Sequence, residues 1–219
     1  CGGKMITAHG GALGTGRNSR MYFDNVSAYN ADAIEVDVYK RGGVLYLSHL
    51  PSLFLYRRKI TLAEAFMLVK NKGMKINCDL KMRGLVREVI ELAQSLGAED
   101  SLIFTGAVRL EDSAELTCGQ AWLNRIKGLP YKAKNVEKIK QKLEETGNPH
   151  FAGLNINKHK ASDDFLAACR EHGVKLSVFT VDTYKQLTRF LDWEVANVTT
   201  NIPIVASAIR FRHGGGEKI

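Results

Sequence analysis

The sequence predicts an α/β chain folded as a (β/α)8 TIM barrel in a single domain, and three observations carry that prediction. Short apolar runs are followed, about eight times along the chain, by stretches whose apolar residues recur at helical spacing. The intervals between successive runs suit parallel strands joined by helical crossovers. Polar and charged residues then gather at the C-terminal ends of the runs, the side on which a barrel presents its working loops. A doubly wound open sheet is the competing arrangement, and it would place Gly-x-Gly-x-x-Gly directly between its first strand and helix. Gly10, Gly11, Gly14 and Gly16 do not keep that spacing.

Taken in order, residues 5–8 form a short apolar run that ends in His9-Gly10-Gly11, a strand followed by a loop that lets backbone approach a ligand closely. Asn18-Ser19 is a helix cap ahead of Met21, Val26 and Tyr29. In residues 33–39 the alternation puts Ile34, Val36 and Val38 on one face and Glu35 with Asp37 on the other. Two acids on one strand face repel, and a metal ion is the simplest compensation. Lys40-Arg41-Gly42-Gly43 is a turn, so residues 44–48 fold back as a hairpin that returns His49 toward the carboxylates. Thr61-Leu62-Ala63-Glu64 is a capping box opening a helix that Gly73 stops. Residues 74–80 alternate so that Asn77, Asp79 and Lys81 share a face.

The pattern then repeats. Helices are expected over 85–96, 111–116, 136–145, 163–172, 183–191 and 204–211. Strands are expected over 101–105, 120–123, 151–156, 174–181 and 195–199. The polar residues at strand ends are His9, Glu35, Asp37, Asp79, Lys81, Asn155, Asn157, Asp182 and Asn201. Strands one to three are neighbours in a barrel, which brings His9, the Glu35/Asp37 pair and Asp79 to one ligand. Three carboxylates without cysteine make a hard oxygen site, suited to magnesium, calcium or manganese rather than zinc. Two flanking histidines can serve as acid and base near neutral pH.

With 219 residues, 45% apolar and 25% charged, the chain is long enough for one substantial core, expected over residues 5–212. No apolar run approaches the roughly 20 residues that span a bilayer, and no charged-then-apolar leader precedes the first strand, so no integral membrane segment is expected. Cys1, Cys78, Cys118 and Cys169 show no metal-knuckle spacing, which favours a reduced, cytoplasmic setting. The formal charge of +8 favours an anionic partner such as a phosphorylated metabolite or headgroup. Nucleic acid is not expected: the basic run over 132–142 is interleaved with Glu137, carries the apolar stripe Val136 and Ile139, and lacks aromatics for base stacking. His150, His159 and His172 lie in polar loop or helix-end settings and are not assigned to the site.

These residues together resemble the glycerophosphodiester phosphodiesterase family. Its opening His-Arg-Gly is similar to His9-Gly10-Gly11, its Glu-x-Asp to Glu35-Val36-Asp37, and its second histidine to His49. Its Pro-Thr-Leu-x-Glu helix start resembles Ile60-Thr61-Leu62-Ala63-Glu64, and its Glu-x-Lys resembles Asp79-Leu80-Lys81. Its late Trp-Thr-Val-Asn and Thr-Asp-x-Pro resemble Phe179-Thr180-Val181-Asp182 and Thr200-Asn201-Ile202-Pro203. The resemblance implies a divalent metal held by Glu35, Asp37 and Asp79, catalysis by His9 and His49, and substrate contacts from Lys81 and Phe179. It implies hydrolysis of a small or lipid-derived phosphodiester to an alcohol and glycerol 3-phosphate.

Gly10 stands where the family arginine would meet phosphate, with Arg17, Arg57 and Arg58 as the loop cations available to replace it. Only residues 50–59 stand where the family usually carries a sizeable insertion. Leu53, Phe54, Leu55 and Tyr56 in that loop are expected to cap the barrel. The alternative is contact with a lipid tail, as in the similar phospholipase D toxins, and this would make the chain a lysophospholipase D-like enzyme. A barrel that binds phosphoryl ligands without turnover is the third reading.

Overall fold

Alternation of side chains along the strands builds two separate interiors, one between strands and helices and one inside the ring. The computed structural model describes residues 4–52 and 54–213, so Cys1, Gly2, Gly3, Leu53 and residues 214–219 lie outside it. Its strands are β1 (Met5–Ala8), β2 (Ala33–Arg41), β3 (Val44–Leu47), β4 (Lys75–Leu80) and β5 (Leu102–Gly106). They continue with β6 (Gln120–Leu123), β7 (Phe151–Asn157), β8 (Leu176–Phe179) and β9 (Asn197–Thr200). All but β3 run parallel, in the order β1-β2-β4-β5-β6-β7-β8-β9, and β1 pairs with both β2 and β9 to close the ring. β3 hangs on β2 as the antiparallel arm of the expected hairpin, with Val38 opposite Leu47 and Arg41 opposite Val44.

The helices are α1 (Arg20–Asp24), α2 (Leu62–Val69), α3 (Val86–Ser95), α4 (Val136–Glu144), α5 (Asp163–Glu171), α6 (Tyr184–Asp192) and α7 (Pro203–His213). Side-chain caps start several of them. Ser19, Thr61, Ser162 and Thr183 each accept a hydrogen bond from a backbone N–H of the first turn, and Glu64 completes the capping box on Thr61. The connection from β5 to β6 differs from the expected helix: residues 110–114 form only a 3₁₀ turn, where Glu111-Asp112-Ser113 leave no apolar face for a longer helix to bury.

The outer core sits between strands and helices and holds Ile34, Val36, Val38, Ile76, Cys78 and Phe104, all fully buried or nearly so. On α1, Tyr22 and Phe23 are buried while Met21 is exposed. Inside the ring, Ala33, Ile103 and Trp122 form a small apolar layer. Polar side chains elsewhere in the ring satisfy one another. Thr7 donates to Asn197 at 2.9 Å, Asn197 to Ser177 at 2.9 Å, Ser177 to Asn155 at 2.8 Å and Asn155 to Asn124 at 3.1 Å. Cys78, Cys118 and Cys169 are unpaired, and no described helix is long and apolar enough to cross a membrane.

Candidate active site

The carboxylates meet because of register. Parallel pairing sets Asp37 of β2 opposite Asp79 of β4, and the alternation puts Glu35 on the same inner face two residues earlier. One ligand oxygen from each of Glu35, Asp37 and Asp79 lies within 4.8 Å of the other two. Burial, and then the charges of Asp79 and Asp37, push the Glu35 carboxyl well above its ordinary pKa. Lys81 Nζ sits 2.6 Å from Asp37 Oδ1 and also contacts the Asp79 carboxylate. Burial would raise Asp37, but the Lys81 ammonium, the Asn18 amide and His49 outweigh it and hold its carboxyl below the ordinary value. The same two aspartates raise the pKa of Lys81 despite burial.

The two histidines stand beside different carboxylates of this cluster. His9, at the end of β1, places Nε2 3.8 Å from Glu35 Oε1, while its Nδ1 is 2.9 Å from Asn201 Oδ1. Asn201 donates its own amide to Asp182 Oδ2 at 2.9 Å, so its oxygen faces the ring and fixes the proton on Nδ1. Burial lowers the pKa of His9, and Arg17 adds to the effect. His49, half exposed, is returned by the hairpin to 3.5 Å from Asp37 Oδ1.

Asn18 takes part here as well as standing beside the α1 cap, which spacing alone did not reveal. Its amide donates to Asp37 Oδ2 at 2.9 Å, and its oxygen accepts the Asp37 backbone N–H at 3.0 Å. A signal was present: an asparagine in a glycine-rich loop tolerates the left-handed backbone it adopts, at φ 51°. Tyr22, also unassigned by the sequence, supports β2 by donating to the Ala8 carbonyl at 2.8 Å and accepting the Glu35 N–H at 3.2 Å.

At the position of the missing arginine, a Cβ on Gly10 would stand 3.3 Å from the Glu35 carbonyl and 3.9 Å from the Asp37 carboxylate. The backbone N of Arg17 and its Cγ lie 3.2 and 3.3 Å from where a Cβ of Gly11 would be. Arg17 is thus the loop cation beside this site, and its charge acts on both His9 and Glu35. Arg57 instead turns to Tyr56, donating to its hydroxyl at 3.2 Å.

Among the described residues that follow His49, Phe54 and Leu55 do not cap the barrel as expected. Phe54 is 88% exposed, and Leu50 and Leu55 are also mostly in solvent. Among the described residues of that group, Tyr56 packs on Tyr46 at 5.7 Å between ring centroids. The loop is short and held through Tyr56 against the Gly42 turn, which leaves Phe54 in solvent. Phe179, at the end of β8, lines a neighbouring cavity of about 850 Å³ with Asn124 and Asn155. His150 bonds the Gly119 carbonyl at 2.9 Å, away from the cluster.

Neither family models nor curated protein sequences match the chain. Solved structures do match its backbone. A glycerophosphodiester phosphodiesterase from Parabacteroides distasonis superposes with a TM-score of 0.77 at 18% identity, covering 97% of this chain and 98% of that one. An Oleispira antarctica phosphodiesterase in complex with the product sn-glycerol-3-phosphate gives 0.74 at 18% identity, covering 96% and 97%. A glycerophosphodiester phosphodiesterase from Thermotoga maritima gives 0.68 at 16% identity, covering 95% and 98%. At these identities the likeness is one of fold, and the chain shares the TIM barrel of these proteins over nearly its whole length.

Proposed function

We propose that this chain is a metal-dependent phosphodiesterase that hydrolyses glycerophosphodiesters to an alcohol and glycerol 3-phosphate. The observation that carries the reading is the gathering of Glu35, Asp37 and Asp79 within 4.8 Å, flanked by His9, His49 and Lys81. A shared fold with phosphodiesterases, one of them bound to glycerol 3-phosphate, supports it.

The triad fits a hard divalent cation. Its donors are all carboxylate oxygens, and the Glu35 carboxyl is pushed up by burial and its acidic neighbours, a charge excess that a cation relieves. Magnesium, calcium or manganese held by Glu35, Asp37 and Asp79 would supply positive charge to the phosphate oxygens. Lys81 shares that task through a further cation beside the phosphate, and Arg17 takes over from the arginine that Gly10 lacks. His9, its pKa lowered by burial and its ring oriented by Asn201, takes the proton of the nucleophile at Nε2. His49 returns a proton to the departing alcohol oxygen, and Phe179 forms part of the wall that receives the organic portion. The three unpaired cysteines fit action in a reducing compartment such as the cytoplasm.

The exposed Leu50, Phe54 and Leu55 beside His49 favour a second reading, in which the diester carries a lipid tail that this apolar tip meets. Both readings are tested by following release of glycerol 3-phosphate from glycerophosphocholine and of headgroup alcohol from a long-chain lysophospholipid. His9→Ala is expected to lower turnover of the true substrate by about 10²-fold or more. Turnover unchanged in that variant would remove His9 from the chemistry.

A further inference from the structure

On the same face as the carboxylates, around the ends of β4, β5 and β6, two cavities adjoin along a wall of Arg125, Ile126 and Gly128. The smaller, about 580 Å³, is lined by Arg83, Arg109, Arg125, Lys127 and Lys142, with Glu111 as its one carboxylate. The larger adds Lys132 and Lys160 and has no carboxylate in its lining. The larger cavity also holds Phe179 and so belongs to the candidate active site, whereas none of His9, His49, Glu35, Asp37, Asp79, Lys81 and Phe179 lines the smaller one. Among the described residues, Arg83, Arg109, Arg125 and Lys127 form no salt bridge.

A solvated basic surface would leave its cations extended into water. Arg109 departs from that. It is only 9% exposed, its Nη1 donates to the carbonyls of Gly106 at 2.9 Å and Val108 at 2.6 Å, and its Nε is buried with no partner. Burial and the charges of Arg125 and Arg83 hold its pKa below the usual arginine value, ahead of the opposing Asp112 and Glu111. Packing a guanidinium against two like charges is unfavourable unless an anion joins them. Guanidinium forks match phosphate oxygens in pairs, and the volume suits a group the size of a sugar phosphate.

We propose that the smaller, arginine-lined cavity is a second anion site, which binds a phosphate group other than the one at the carboxylate cluster. Arg109 is the fixed floor of the site, and Arg83, Arg125 and Lys127 close on the phosphate from exposed loops. The phosphate comes either free in solution or on an anionic lipid headgroup, and the two sources are separable by experiment.

The test is calorimetric titration of the full chain with inorganic pyrophosphate, in the presence of a chelator so that no metal at Glu35, Asp37 and Asp79 can recruit it. A parallel arm measures sedimentation with vesicles of phosphatidylcholine, with and without phosphatidic acid. Saturable binding in either arm, weakened roughly tenfold or more by Arg83→Gln/Arg125→Gln, is the expected result, and the arm that responds names the source. Both substitutions lie at exposed side chains, so the fold is retained. Absence of binding in both arms would overturn the proposal. So would binding lost in Lys81→Met yet unmoved by Arg83→Gln/Arg125→Gln, because the anion would then belong to the carboxylate cluster. Neither arm requires turnover, so this result stands or falls separately from the hydrolytic reading.

Discussion

Asn201 shows how one uncharged side chain can set the state of a histidine. Its oxygen meets His9 Nδ1 because its amide is committed to Asp182, which leaves His9 Nε2 free toward Glu35. Asn201→Ala is expected to lower kcat by about 10- to 100-fold with little change in KM, since it loosens the ring without removing a substrate contact. Steady-state kinetics on glycerophosphocholine check this, and an unchanged kcat would deny Asn201 the positioning role. Glu64 offers a pH-dependent case far from the site. Hydrogen bonds from the Thr61 N–H and then its hydroxyl lower the Glu64 carboxyl below its ordinary 4.5. A depressed folded pKa contributes stability that is present above the unfolded value and is lost as pH falls through the folded one. Glu64→Ala is therefore expected to cost about 0.5 kcal/mol at pH 7, modest because the box is solvent-exposed, with the gap closing in acid. Denaturation midpoints at pH 7 and pH 3 would show it, and a gap that widens in acid would contradict the assignment.

At the scale of elements, the β2–β3 hairpin and the β4 strand do most to assemble the site, and both were legible in the sequence. Alternation alone put Glu35 with Asp37 and Asp79 with Lys81, because a strand has only two faces. The Gly42-Gly43 turn was equally legible, since both residues adopt the left-handed backbone that glycine permits. The β5–β6 connection was misread because the stretch is too short for a helical period to show. Asn18 escaped because its partner Asp37 lies on the neighbouring strand, 19 residues away in sequence, a relation no local pattern carries. The loop after His49 was misjudged because apolar side chains were expected to find cover, and a ten-residue connector tied down at Tyr56 gives Phe54 none. Gly106, at the end of β5, marks a close approach of strands. A Cβ there would collide with the Asp79 carboxylate and the Leu80 backbone, at a left-handed φ of 78°. Gly106→Ala is expected to cost about 2 kcal/mol or more and to weaken divalent-metal binding by displacing Asp79. Chemical denaturation and metal titration by calorimetry test this, and a variant with unchanged stability would show that Asp79 is not held there.

For the whole molecule, closure of β1 onto both β2 and β9 is the feature that joins distant stretches of sequence into one site. It brings His9, Asn201 and Asp182 together from opposite ends of the chain and sets them beside the β2 carboxylates. The polar layer inside the ring continues that arrangement, because Gly106, Asn124 and Asn155 link the β5–β7 ends by hydrogen bonds at 3.0 and 3.1 Å. The formal charge of +8 is consistent with attraction of an anionic diester toward this face. The central claim is metal-dependent hydrolysis at the Glu35, Asp37 and Asp79 triad. Its most direct test is release of glycerol 3-phosphate from glycerophosphoethanolamine with magnesium, calcium or manganese added and then chelated, comparing the native chain with a folded Glu35→Ala variant. The account predicts release that needs the ion, ends on chelation and is absent in the variant. Release that survives both chelation and Glu35→Ala would contradict it.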